Sequence, residues 1–133
     1  MSKIYYEFAN FLISSWRLGQ PGRDLPVGHE RLDRALEAVE SHIPTRFQGV
    51  LLFCDSAVGR VCHTLPAILQ AAAESHLIQP IPPRYLNDRV VIGASRAMDI
   101  LENLDIEIED GKAFGKQLAD AVDRPANTQK FNT

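Results

Sequence analysis

The stretch VLLFCDSAVGRVCHTLP, residues 50–66, gathers Cys54, Asp55, Ser56, Arg60, Cys62 and His63 into one short segment. Three chemistries could use such residues. A metal site could use the thiols, the acid and the imidazole, but structural zinc sites pair their ligands through C-x2-4-C or H-x3-5-H spacings. Here seven residues separate the cysteines, and His63 directly adjoins the second. On one helix Cys54 and Cys62 would lie about 12 Å apart by the helical rise. No metal and no cofactor is expected. Nucleophilic catalysis needs a thiol or hydroxyl within hydrogen-bond reach of a base that a third group orients. Cys62 and His63 are neighbours whose side chains diverge in regular structure. Cys54 is the better candidate, because a nearby helix start or Arg60 would lower its pKa; Ser56 is the second. The plainer account of Cys54 is burial at the end of a strand, where cysteine is common.

The third chemistry is anion binding. CDSAVGR supplies Asp55, Ser56, Gly59 and Arg60, and GASR supplies Gly93, Ser95 and Arg96. Small residues let backbone N–H groups approach an anion, helix N-termini add favourable partial charge, and arginine offers a bidentate fork. If both segments leave the carboxyl ends of strands in an open α/β sheet, a ligand would bind between them. The expectation is two loops side by side at one sheet edge, with Arg60 and Arg96 on the rim.

Those loops need elements to hold them. Leu32, Ala35, Leu36, Val39 and Ile43 fall on one helical stripe, so a helix is predicted over 29–43, ended by Pro44. GVLLFC is a continuous apolar run between breakers and reads as a central strand covered on both faces. Thr64 is the expected N-cap of a helix over 65–76, with Pro66 tolerated near its start. The proline-rich LIQPIPPRYL is an extended connection. DRVVIGAS reads as a strand, 95–104 as a helix, DIEIED as an alternating strand with Ile106 and Ile108 inward, and 112–122 as a closing helix. Residues 1–16 fit either a helical stripe or a first strand. Alternation of strands and helices predicts an α/β fold, a single small domain with a sheet of about four or five strands and helices packed on it. The alternative is an all-α bundle, in which Gly93 inside a helix would cost about 1 kcal/mol relative to alanine. The domain is expected to span 1–123, with a frayed tail over 124–133.

Composition narrows the function. The chain has 133 residues, 45% of them hydrophobic and 23% charged, with 14 basic and 17 acidic residues and a net charge of −3. No basic block offers the electrostatic footprint that nucleic-acid binding needs. The longest apolar run is far shorter than the roughly 20 residues that cross a bilayer. The N-terminal segment lacks the basic leader and cleavage site of a signal peptide. Two cysteines in a chain able to build its own core suggest reduced thiols and a cytoplasmic setting. His29, His42 and His76 sit at helix boundaries, and a favourable interaction with the dipole at a helix C-terminus accounts for His42 and His76.

The DS pair at a strand end, followed by a helix and another strand–helix–strand–helix run, resembles the STAS domains of anti-sigma-factor antagonists. That resemblance implies a phosphorylatable serine and a partner-binding surface. Read as helical, GASRAMDILENLDIEIE resembles the helical repeats of translation-factor adaptors. The two imply incompatible folds, and neither is adopted. The function expected is a non-catalytic regulatory or binding module that recognises a protein partner or a small anionic ligand. One alternative is a small enzyme using Cys54 or Ser56 as nucleophile or group carrier; another is an all-helical protein–protein adaptor. The aromatic residues crowded into 4–16 also suggest a homo-oligomer.

Overall fold

A computed structural model of the chain describes residues 2–124. The ambiguous N-terminal segment is helix: α1 spans Lys3–Gly19 and lies at the centre of the molecule, packed against the last three helices of the chain's described residues. Its stripe of Phe8, Phe11, Leu12 and Trp16 is fully buried, and so are Ala9 and Ile13 on the adjoining flank. Burial over so wide an arc is what a helix hydrophobic beyond one stripe requires. Phe8, Phe11, Phe47 and Phe114 form one aromatic cluster with ring centroids 4.8–5.9 Å apart. The N-terminal aromatics that suggested self-association are largely interior, which accounts for them without a second copy.

Among the described residues five α-helices pack on a small antiparallel sheet of three strands and a separate two-stranded hairpin, so the chain is a single small α/β domain. After α1, the short strand β1 (Leu25–Pro26) leads through a 3₁₀ turn into α2 (Arg31–Ala38). The hairpin is β2 (Phe53–Ser56) paired with β3 (Gly59–Cys62), followed by α3 (Leu65–Glu74). Then come β4 (Ile78–Pro80), β5 (Asn87–Val90), α4 (Ala94–Asn103) and α5 (Ile108–Asp123). The three-stranded order is β1-β5-β4, with Leu25 opposite Asp88 and Gln79 opposite Arg89.

Several local expectations are corrected. The helix expected over 29–43 is regular only over Arg31–Ala38; His29 and Glu30 before it take left-handed conformations, and a 3₁₀ turn covers Glu40–His42. GVLLFC is not a central strand. Val50 and Leu51 are buried as loop, while Cys54, Asp55 and Ser56 are exposed in the hairpin. A continuous apolar run reports burial but not conformation, and here the Thr64 hydroxyl fixes the loop by donating to the Val50 carbonyl at 2.8 Å. Thr64 does precede α3, but its side chain makes no cap bond to the helix. His76 falls outside α3, in a left-handed conformation at φ 60°.

DIEIED is not a strand either. Asp105 turns left-handed after α4, Glu107 is extended at the N-cap, and α5 begins at Ile108, four residues before the expected start. Glu109 and Asp110 then occupy the first turn of α5, where the helix dipole favours negative charge. Without that strand, the run on which the STAS resemblance rests is not present. The predicted helix over 95–104 and the strand at DRVV are found within a few residues of their expected bounds. The expected frayed tail, apart from Arg124, lies outside the described residues.

Candidate functional site

Among the described residues all strand pairs are antiparallel and the two glycine–serine–arginine loops belong to separate sheets, so they show no shared carboxyl edge of the kind expected. Asp55, Ser56, Gly59 and Arg60 belong to the hairpin. Gly93, Ser95 and Arg96 follow β5 of the three-stranded sheet. No hydrogen bond or ion pair among the described residues joins the two groups. Arg60 is held by carboxylates on both sides, its Nε donating to Glu37 at 2.9 Å and its Nη1 to Asp55 at 3.3 Å. The Ser56 hydroxyl closes the turn, donating to the Gly59 carbonyl at 2.8 Å and accepting from the Val58 amide at 3.2 Å. Gly59 is needed there, with φ at 113°.

The thiols divide in the same way. Cys54 is exposed and Cys62 buried. Burial pushes the Cys62 thiol up, partly offset by its hydrogen bond with Thr64. Asp33 accepts from the Cys62 backbone amide at 2.8 Å, which ties β3 to α2. His63 is exposed, and no histidine or carboxylate is hydrogen-bonded to Cys54 or to the Ser56 hydroxyl among the described residues. Among those residues no group of three or more His, Cys, Asp or Glu side chains is arranged to hold a metal ion.

The segment around Gly93 belongs to a different constellation. Arg17, Arg23, Asp24, Arg89 and Gly93, with Gly22 and Val90–Ile92, line a cavity of about 420 Å³. The three arginines arrive on three different segments, Arg17 on α1, Arg23 with its neighbour Asp24 on the loop that follows, and Arg89 on β5. Arg17 lies in the last turn of α1, and its Nε donates to the Ile92 carbonyl at 3.1 Å, fixing the helix end against the chain leaving β5. Its two Nη groups have no partner among the described residues. Arg23 is tied down: its Nη atoms donate to Asp123 at 2.7 and 3.1 Å, and its guanidinium lies 5.2 Å from the Trp16 ring centroid. The Asp123 carboxyl is correspondingly held below its usual range by Arg23.

Arg89 projects from β5, where strand alternation sets it opposite in direction to the buried Asp88. It is exposed and makes no ion pair or side-chain hydrogen bond among the described residues. Gly93 is the N-cap of α4, which has no side-chain cap and no acid in its first turn. A helix start of this kind leaves its first N–H groups without intrahelical acceptors. Ser95 and Arg96 are exposed in that first turn but are not part of the cavity wall.

Arg17, Arg23 and Arg89 were not singled out from the sequence. They are scattered between positions 17 and 89 on a helix, a loop and a strand, and only the fold brings them together. The one local signal was Arg17 and Arg23 flanking the turn LGQPG.

A larger cavity, about 670 Å³, is lined by Glu102, Asp105, Glu107 and Glu109. These carboxylates surround the N-terminus of α5, and the helix dipole accounts for them there.

No helix among the described residues is long and apolar enough to cross a membrane. No protein-family model, curated protein or solved structure matches the chain.

Proposed function

We propose that the protein is a binding module whose cavity at the end of α1 and the start of α4 holds an anionic group. The observation that carries this reading is the pair Arg17 and Arg89. Both line one cavity, and neither is neutralised by a carboxylate among the described residues. Two unneutralised guanidiniums facing one space repel each other, and an anion between them removes that repulsion. The uncapped start of α4 adds favourable partial charge from the same side. A hydrogen bond to a charged group contributes roughly 1.5–3 kcal/mol. Two such bonds are enough for a weak but specific site. The unpaired thiols of Cys54 and Cys62 suit a reducing compartment such as the cytoplasm.

The test is a thermal shift with inorganic phosphate, since a ligand that binds only the folded state raises its melting temperature. Phosphate is expected to raise the melting temperature of the native chain but not that of Arg89→Gln. Arg89 is the informative position because its side chain is exposed and makes no ion pair or hydrogen bond among the described residues, so its loss should leave the fold intact. An equal shift in the variant would remove the reading.

A further inference from the structure

We propose that the ligand of this cavity is a phosphate monoester of a small polyol, its phosphate held between Arg17 and Arg89 and one of its hydroxyls donating to Asp24. The proposal rests on the anion-binding reading above and adds the class of molecule that carries the anion.

The deciding residue is Asp24. It shares the cavity with three arginines, yet none of them pairs with it among the described residues. Arg23 turns instead to Asp123, Arg17 gives its Nε to the Ile92 carbonyl, and Arg89 makes no ion pair or side-chain hydrogen bond among the described residues. A free carboxylate on the wall repels sulfate, which has no proton to give. It favours a ligand that brings its own hydrogen-bond donor, because a carboxylate accepts and never donates. Hydrogen phosphate carries a P–OH, but on the same small tetrahedron that the arginines grip, whereas a polyol ester carries hydroxyls on separate carbons.

Charge decides between the donors a ligand could bring. With Arg23 neutralised by Asp123, the lining carries the two positive charges of Arg17 and Arg89 against the negative charge of Asp24. The start of α4 contributes roughly half a positive charge more. A site with this excess matches a phosphate monoester, which carries about −1.5 to −2 at neutral pH. An amino-acid zwitterion could also reach Asp24 through its ammonium, but its net charge of zero leaves the excess uncompensated. The volume of about 420 Å³ lies within the range of small-molecule sites. Nothing lies within 4 Å of where a Cβ on Gly93 would be, so the backbone there is open to close approach.

The experiment is isothermal titration of the full chain with inorganic phosphate, glycerol 3-phosphate, ribose 5-phosphate and serine. It compares the native sequence with Asp24→Ala and Arg89→Gln. Both positions are exposed, and unliganded melting curves confirm that each variant folds. The native protein is expected to bind the two esters at least about tenfold more tightly than inorganic phosphate, the low end of one charge-assisted hydrogen bond. Asp24→Ala is expected to lose that preference while binding inorganic phosphate as well as before or better. Equal affinity of the native protein for esters and phosphate overturns the inference, as does a preference that survives in Asp24→Ala. Tighter binding of serine than of ribose 5-phosphate overturns it too. No binding of phosphate or of either ester, or binding that Arg89→Gln leaves intact, removes the anion-site reading itself.

Discussion

Gly115 of α5 lies so close to Ser15 of α1 that a Cβ on the glycine would sit 2.0 Å from the serine carbonyl oxygen. A Cβ on Gly19 would likewise come within 2.7 Å of the Gly115 backbone. The two helices therefore meet backbone to backbone, and no rotamer change can relieve an added methyl. Gly115→Ala is expected to destabilise the protein despite the better helix propensity of alanine, worth about 1 kcal/mol. Overpacking of this kind costs about 1–3 kcal/mol or more, and a backbone clash puts it at the upper end, so after the propensity gain a net loss of about 1–2 kcal/mol should appear in urea denaturation. Gly93→Ala, with open space around it, is the control: it meets no steric clash, and the loss of a glycine N-cap should lower the midpoint far less.

Arg60 was the sequence candidate for the rim of an anion site, and it sits between Glu37 and Asp55 in the structure. A guanidinium already matched by two carboxylates has little to offer an anion. Arg60→Gln is therefore expected to leave the phosphate-induced thermal shift intact, whereas Arg89→Gln abolishes it. Loss of the shift in Arg60→Gln would return the hairpin to the binding site.

The two thiols should react in two phases. Cys54 is exposed and Cys62 is buried, with burial raising the Cys62 thiol pKa and so lowering its thiolate fraction. Titration of the native protein with a thiol reagent at neutral pH should modify one cysteine promptly and the second only on addition of denaturant. Peptide mapping that finds both modified in the folded state would contradict this packing of β3.

Asp88 gives a pH dependence with a definite sign. It is buried in β5, and desolvation raises its carboxyl pKa above the usual value. In the unfolded chain an aspartate titrates near about 3.9. Because the folded state binds the proton more tightly, this group's stabilising contribution is full below the unfolded pKa. It is lost as pH rises through the higher folded value. Asp88→Asn should match the native protein at about pH 3 and become increasingly the more stable of the two toward neutrality. A stability difference that stays constant with pH would mean the carboxyl is solvated.

The sequence by itself determined the α/β class and the positions of α3 and α4. It also marked most of the apolar faces that became core, because helical periodicity and helix-ending signals are local. Leu32, Ala35, Leu36, Val39 and Ile43 were all placed inward from spacing alone and are buried. Where a segment supports two conformations, its neighbours decided. Phe8 and Trp16 belong to a helix because α5 and α4 close over it. Val50 and Leu51 are buried without a strand because Thr64 reaches back to hold them. DIEIED alternates like a strand, yet its acids stabilise a helix start. The candidate site was even less legible. GASR marked one edge of it through Gly93, but Arg17, Arg23, Asp24 and Arg89 share no local pattern. Their convergence depends on where α1 ends against the chain leaving β5, a long-range contact between segments some 75 residues apart that no spacing rule encodes.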